Sequence, residues 1–71
     1  MFLSDFIKEK RKKSKLTQQQ LAEKAGVGLR FIRDLEQGKI SLRMDKVNQV
    51  LKMFGHELGP QPLDRTKLIN E

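Results

Sequence analysis

Cysteine is absent from this chain, and histidine occurs once, at His56. Without cysteine there is no disulfide and no thiolate metal site, which suits a reducing compartment. A lone histidine is too thin a donor set for zinc, so the residues imply neither a metal nor any other cofactor. Also missing is a Gly-rich loop followed by Lys-Ser or Lys-Thr, the arrangement that cradles nucleotide phosphates. Asp5 and Glu9 lie one helical turn apart, but on a basic helix such a pair reads as solvated surface. Nothing supports catalysis, and an enzyme is not expected.

Long apolar runs are lacking too. No stretch approaches the roughly 20 residues of a membrane span. The opening Met1-Phe2-Leu3 is far too short for a signal-peptide core, and charge returns at Asp5. The expectation is a cytoplasmic protein with no membrane contact. Internal repeats and low-complexity tracts are absent as well.

Positive charge, by contrast, is abundant. Fifteen Lys and Arg face nine Asp and Glu, a formal net charge of +6. That balance suits phosphate backbones, and it suits an anionic membrane or an acidic protein equally, so charge alone does not choose. The 71 residues hold one domain. A chain this short buries only roughly 60% of its unfolded surface, so dimerisation is expected to help it fold.

The most informative stretch is LTQQQLAEKAGVGLRFIRDLEQGK, Leu16 to Lys39. Thr17 and Gln20 form a capping box, a hydroxyl and an amide that satisfy free N–H groups at a helix start. Leu21, Ala22 and Ala25 make the buried stripe, and Gly26 supplies the left-handed residue of a C-terminal cap. After a short turn through Val27 and Gly28, Ile32 and Leu35 begin a second apolar pattern that stops at Gly38. Two short helices joined by a tight Gly-containing turn form a helix-turn-helix, whose second helix can enter a DNA major groove. Arg30 and Arg33 point outward from that second helix.

Upstream, Leu3, Phe6, Ile7, Arg11 and Ser14 recur at steps of three and four, predicting a helix over 4–14 capped by Ser4 or Asp5. Six basic residues and Glu9 lie between Lys8 and Lys15, either as a solvated face or as a phosphate-facing one. Downstream, Met44, Val47, Val50, Leu51 and Phe54 predict a helix over 43–54, with Ser41 as its cap and Gly55 as its end. Val47, Val50 and Leu51 suit the core, and Phe54 suits both the core and a dimer face. His56-Glu57-Leu58 allows a short strand pairing with its own copy across a two-fold axis, which Pro60 prevents from growing. The helix-turn-helix domain is thus expected over 1–58 and a flexible tail over 59–71, with Leu63, Leu68 and Ile69 as its apolar anchors.

These residues carry a resemblance. Arg11, Thr17-Gln18, Leu21-Ala22, Ala25-Gly26-Val27, Ile32, Leu35-Glu36 and Gly38 together resemble the Cro and phage-repressor helix-turn-helix family, also called the XRE family. The likeness runs from about Leu3 to Gly55, and ISLRMDKVNQVLKMFGHEL more loosely resembles the HipB-type antitoxin regulators within it. What the resemblance implies is an all-α, lambda-repressor-like domain of four to five helices that binds double-stranded DNA as a homodimer. It puts Thr17 and Gln18 against phosphate or a base edge, and Gly28, Leu29, Arg30, Arg33 and Asp34 at the groove. Lys39, Ser41 and Arg43 fall where the next loop meets backbone phosphates. Arg11 and Glu36 correspond to a structural salt bridge between the first and third helices. Phe54, His56 and Leu58 are the expected dimer contacts.

Some positions depart from the family pattern. Gly28 stands where serine or threonine is usual, and Leu29 where the residue is commonly polar. Lys15 replaces a frequent glycine, and Lys10 a frequent leucine. The expected function is a sequence-specific transcriptional repressor, in the first instance the antitoxin of a HipBA-like operon that binds a HipA-like kinase toxin. A stand-alone phage-type repressor and a basic protein-interaction module are the alternatives. With the DNA-reading unit filling most of the chain, regulation is expected from concentration, dimerisation or a second protein.

Overall fold

The computed structural model describes residues 2–39 and 41–60, in which four helices occur: α1 (Phe2–Lys13), α2 (Gln18–Ala25), α3 (Leu29–Glu36) and α4 (Met44–Lys52). The tail expected at 59–71 lies outside the described residues beyond Pro60, as does Ile40. α3 packs against both α1 and α2, while α4 closes on α2. One core results. Ile7 from α1, Leu21, Ala22 and Ala25 from α2, Ile32 and Leu35 from α3, and Val47, Val50 and Leu51 from α4 are all buried in it. Leu3, Phe6, Leu16, Val27, Leu29, Phe31, Leu42 and Phe54 pack around its rim.

Helix ends repeat one device. At the end of α1 the Leu16 N–H reaches back to the Arg11 carbonyl and Lys15 N–H to that of Lys12. The same pair of bonds closes α3, from Lys39 to Asp34 and from Gly38 to Leu35, and α4, from His56 to Leu51 and from Gly55 to Lys52. This loop needs one left-handed residue, which is glycine at positions 26, 38 and 55 and lysine at Lys15, φ 58°. The end of α2 is further held by Gln49 of α4, whose amide donates to the Ala25 carbonyl at 3.3 Å.

Several expected boundaries shift. α1 begins at Phe2, so Ser4 and Asp5 lie inside it; the apolar stripe already starts at Leu3, and Ser4 is buried. It ends at Lys13 because Lys15 takes the left-handed turn. α3, expected over 29–37, stops at Glu36 with Gln37 as its cap. Ser41 does not cap α4. That position belongs to Arg43, in extended conformation with no side-chain cap, since half-buried Leu42 draws the preceding chain along the core. At its far end α4 tightens after Lys52 into three-residue bonds, from Met53 to Val50 and from Phe54 to Leu51. No strand forms over 56–60; instead His56 donates to the Leu51 carbonyl and Leu58 N–H to Asn48 Oδ1 at 2.8 Å, folding this segment back along α4.

Candidate nucleic-acid interface

The capping box at the start of α2 is complete. Thr17 Oγ1 accepts the Gln20 N–H at 3.1 Å, and Gln20 Oε1 accepts the Thr17 N–H at 2.9 Å. Thr17 is therefore a structural cap whatever else it touches. Its role leaves Gln18 as the first helical residue, half-buried at the junction of three elements.

That junction is built on Arg11 and Glu36. The Arg11 guanidinium donates from Nε to Glu36 Oε2 at 2.6 Å and from Nη2 to Oε1 at 3.0 Å. Its third nitrogen, Nη1, holds the Leu16 carbonyl at 2.9 Å. Glu36 Oε1 also accepts from Gln18 Nε2 at 3.3 Å. One carboxylate, 2% exposed, thereby joins α1, the start of α2 and the end of α3. Hydrogen bonding to Glu36 pushes the Arg11 guanidinium up, against the opposite pull of burial. Such a pair adds little net stability compared with apolar packing, yet loss of either partner strands a buried charge.

With Ile32, Leu35 and Glu36 turned inward, α3 shows its other side to solvent. Arg30 and Arg33 are exposed there, one turn apart, with Asp34 half-buried beside them. Gly28, at the helix start, is extended at φ −75°, contributes no side-chain cap, and has open space where a Cβ would stand. Leu29 is half-buried on the core rim, so only part of it remains to meet a thymine methyl.

The expected phosphate contacts arrive already paired. Lys39 Nζ lies 3.6 Å from Asp34 Oδ2. Arg43 forms a two-pronged pair with Asp45, Nε to Oδ1 at 3.1 Å and Nη2 to Oδ2 at 2.7 Å, fully exposed. The Arg43 hydrogen bond holds the Asp45 carboxyl below the usual carboxylate range. Ser41 is exposed. On α1, Glu9 and Lys13 pair at 3.1 Å across one turn, which relieves part of the basic run.

Two residues here escaped sequence reasoning. Lys46 of α4 sits with its ammonium 6.0 Å from the centre of the half-buried Phe31 ring, so α4 adds a cation next to α3. Gln37 is exposed at the C-terminal end of the α3 face. Neither carries a motif, and fifteen residues separate Phe31 from Lys46.

The expected dimer residues gather elsewhere. Phe54 is half-buried against the core, whereas His56 and Leu58 are exposed. The His56 ring stands edge-on to Phe6 at 4.9 Å, with Lys10 Nζ 5.6 Å from the centre of the same Phe6 ring. Leu3, Phe6, Leu51, His56 and Leu58 line an open groove of about 230 Å³. Met44 at the start of α4 and Met53 just past its end add exposed apolar surface. Among the described residues, no helix is long and apolar enough to cross a membrane.

Comparison with known proteins bears on this arrangement. A family described as helix-turn-helix matches residues 7–58. An uncharacterized HTH-type transcriptional regulator, y4mF, from Sinorhizobium fredii (strain NBRC 101917 / NGR234) is 56% identical over 45 residues. The matched region spans 63% of this chain and 59% of that relative.

Proposed function

This chain belongs to the helix-turn-helix family, and we propose that it is a sequence-specific DNA-binding transcriptional repressor with no catalytic role. The observation that carries the reading is α3. Its inner face is locked into the core while Arg30 and Arg33 project from the outer one. A guanidinium so placed can donate two hydrogen bonds to O6 and N7 of guanine. Gln18, Lys39, Ser41, Arg43 and Lys46 are residues suited to phosphate oxygens, contacts that set position without reading sequence. A net charge of +6 supports the same assignment. We place the protein in the cytoplasm.

The functional unit is a homodimer on an inverted-repeat operator, two half-sites matching a two-fold protein. Phe54, His56 and Leu58 with part of α4 supply the contact. Footprinting on the protein's own promoter region tests this reading. A protected inverted repeat is expected; uniform, salt-sensitive binding to any duplex would overturn sequence-specific repression and favour a basic interaction module.

Within this reading, the likeness of residues 40–58 to HipB-type regulators supports an antitoxin that represses its own operon and binds a HipA-like kinase toxin. Toxin contacts belong on α1 and the C-terminal segment, because α3 must stay free for the groove. Co-purification of a kinase-like protein at native expression levels is the expected result. Its absence, with operator binding intact, would leave a stand-alone phage-type repressor.

A further inference from the structure

We infer that Glu36 is a positioning residue for DNA binding, acting through the side-chain amide of Gln18. The inference rests on the DNA-binding reading above. Glu36 has more to do than neutralise Arg11. Its Oε1 accepts at once from Arg11 Nη2 at 3.0 Å and from Gln18 Nε2 at 3.3 Å. A carboxylate offers only acceptors, so it dictates which end of the Gln18 amide turns inward. The nitrogen must face Glu36. One of its two N–H groups is thereby held, and the second, on the same nitrogen, remains to donate outward. A glutamine without this contact would distribute its amide over many rotamers and would present oxygen to a phosphate as readily as nitrogen.

The geometry extends the effect to α3. Gln18 opens α2 while Glu36 is the last residue of α3, and Arg11 anchors both to α1 and to the Leu16 carbonyl. A phosphate held by Gln18 is thus referred directly to the helix that carries Arg30 and Arg33. Backbone contact and groove depth become one rigid setting, through a carboxylate that never touches DNA. The Arg43–Asp45 pair, by contrast, is exposed on both sides.

The test is a double-mutant cycle on the full chain, with affinities measured on operator and on scrambled duplex. Gln18→Met removes the amide and keeps the chain length; Glu36→Gln replaces the acceptor-only carboxylate with an amide that can also donate, so the orientation of the Gln18 amide is no longer dictated. Gln18→Met is expected to weaken operator binding about tenfold, the size of one hydrogen bond to a charged group. Because the lost group is neutral, the dependence of log affinity on log salt should keep its slope. Glu36→Gln should cost a similar factor in the wild-type background and almost nothing further beside Gln18→Met. Full multiplication of the two losses would overturn the proposal. Glu36→Gln also disturbs Arg11, so thermal melting must show each variant folded at the assay temperature. Should Glu36→Gln fail to fold, side-chain ¹⁵N relaxation of the wild-type chain decides instead. The Gln18 amide should be ordered like the backbone, with Gln19, exposed on the same helix, freely mobile; equal mobility would refute the inference. Failure of the wild-type chain to bind any duplex would refute the DNA reading itself, a distinct outcome.

Discussion

Lys39 is turned onto Asp34 by the loop that ends α3. The Lys39 N–H bonds the Asp34 carbonyl at 3.1 Å, and the ammonium of the same lysine lies 3.6 Å from the Asp34 carboxylate. A backbone cap and an ion pair thus join the same two residues. To meet a phosphate, the lysine must exchange one anion for another, and Asp34 stays behind as a negative charge beside the groove.

Asp34→Asn is therefore expected to raise affinity for operator and random duplex alike, and to steepen the salt dependence. Lys39→Ala should weaken both alike and flatten the plot of log affinity against log salt by about one unit. The ion pair is partly exposed, so stability should change by less than about 1 kcal/mol in either variant. Titrations at several salt concentrations, with thermal melts alongside, check all three statements.

Arg30→Ala and Arg33→Ala should behave differently from Lys39→Ala. Each is expected to cost about 1–3 kcal/mol on the operator and much less on scrambled DNA, narrowing the ratio between them. Equal losses on both duplexes would mean that α3 contributes charge alone.

Lys15 offers a stability test. It holds φ 58°, where its Cβ crowds the backbone, in a position filled by glycine at the ends of the other helices. Lys15→Gly should stabilise the fold by about 1 kcal/mol, raising the melting temperature by roughly 4–8 °C. A lower melting temperature would show that the lysine stem contributes packing that outweighs the strain.

For the dimer, Leu58→Asp places a charge in the groove shared with Leu3, Phe6 and Leu51. Sedimentation should then report monomer, while Phe54→Ala, which also opens the core rim, should weaken both association and folding. A dimer that survives both changes has its interface on another face.

Acid should release Arg43. The Asp45 carboxyl is held below its ordinary range by Arg43, so the pair persists above that range and is lost as pH falls through the lowered value. An NMR titration should find the Asp45 midpoint below that of a free aspartate, and Arg43→Ala should raise it toward the ordinary value. An unshifted midpoint in the wild-type chain would show the pair does not persist in solution.

Local chemistry explains what could be read before folding. Thr17 and Gln20 are three residues apart and Gly26, Gly38 and Gly55 each stop a periodic run, so the helix ends were visible without any tertiary contact. Leu21, Ile32, Leu35 and Val50 followed from the same periodicity. Ser41 misled because cap chemistry says nothing of where the next helix starts; Leu42, drawn along the core, sets that. The pairing of Lys39 with Asp34 and of Arg43 with Asp45 was hidden for another reason. Each depends on side-chain rotamers, and residue type alone showed only two cations suited to phosphate. Lys46 on Phe31 is a contact between helices, with no trace in spacing.

Gly28 has a consequence for how such a protein can change over generations. Its backbone is extended, at φ −75°, and nothing lies within 4 Å of a Cβ placed there. A Cβ fits there without strain, at the doorstep of the helix that carries Arg30 and Arg33. Most positions in so small a fold tie recognition to stability, so that altering one endangers the other. Here the tie is looser, because a change touches the helix cap and not the core. A lineage could replace this residue repeatedly, trying new preferences for DNA while the core stays untouched, and drift from one operator to the next through intermediates that all remain folded.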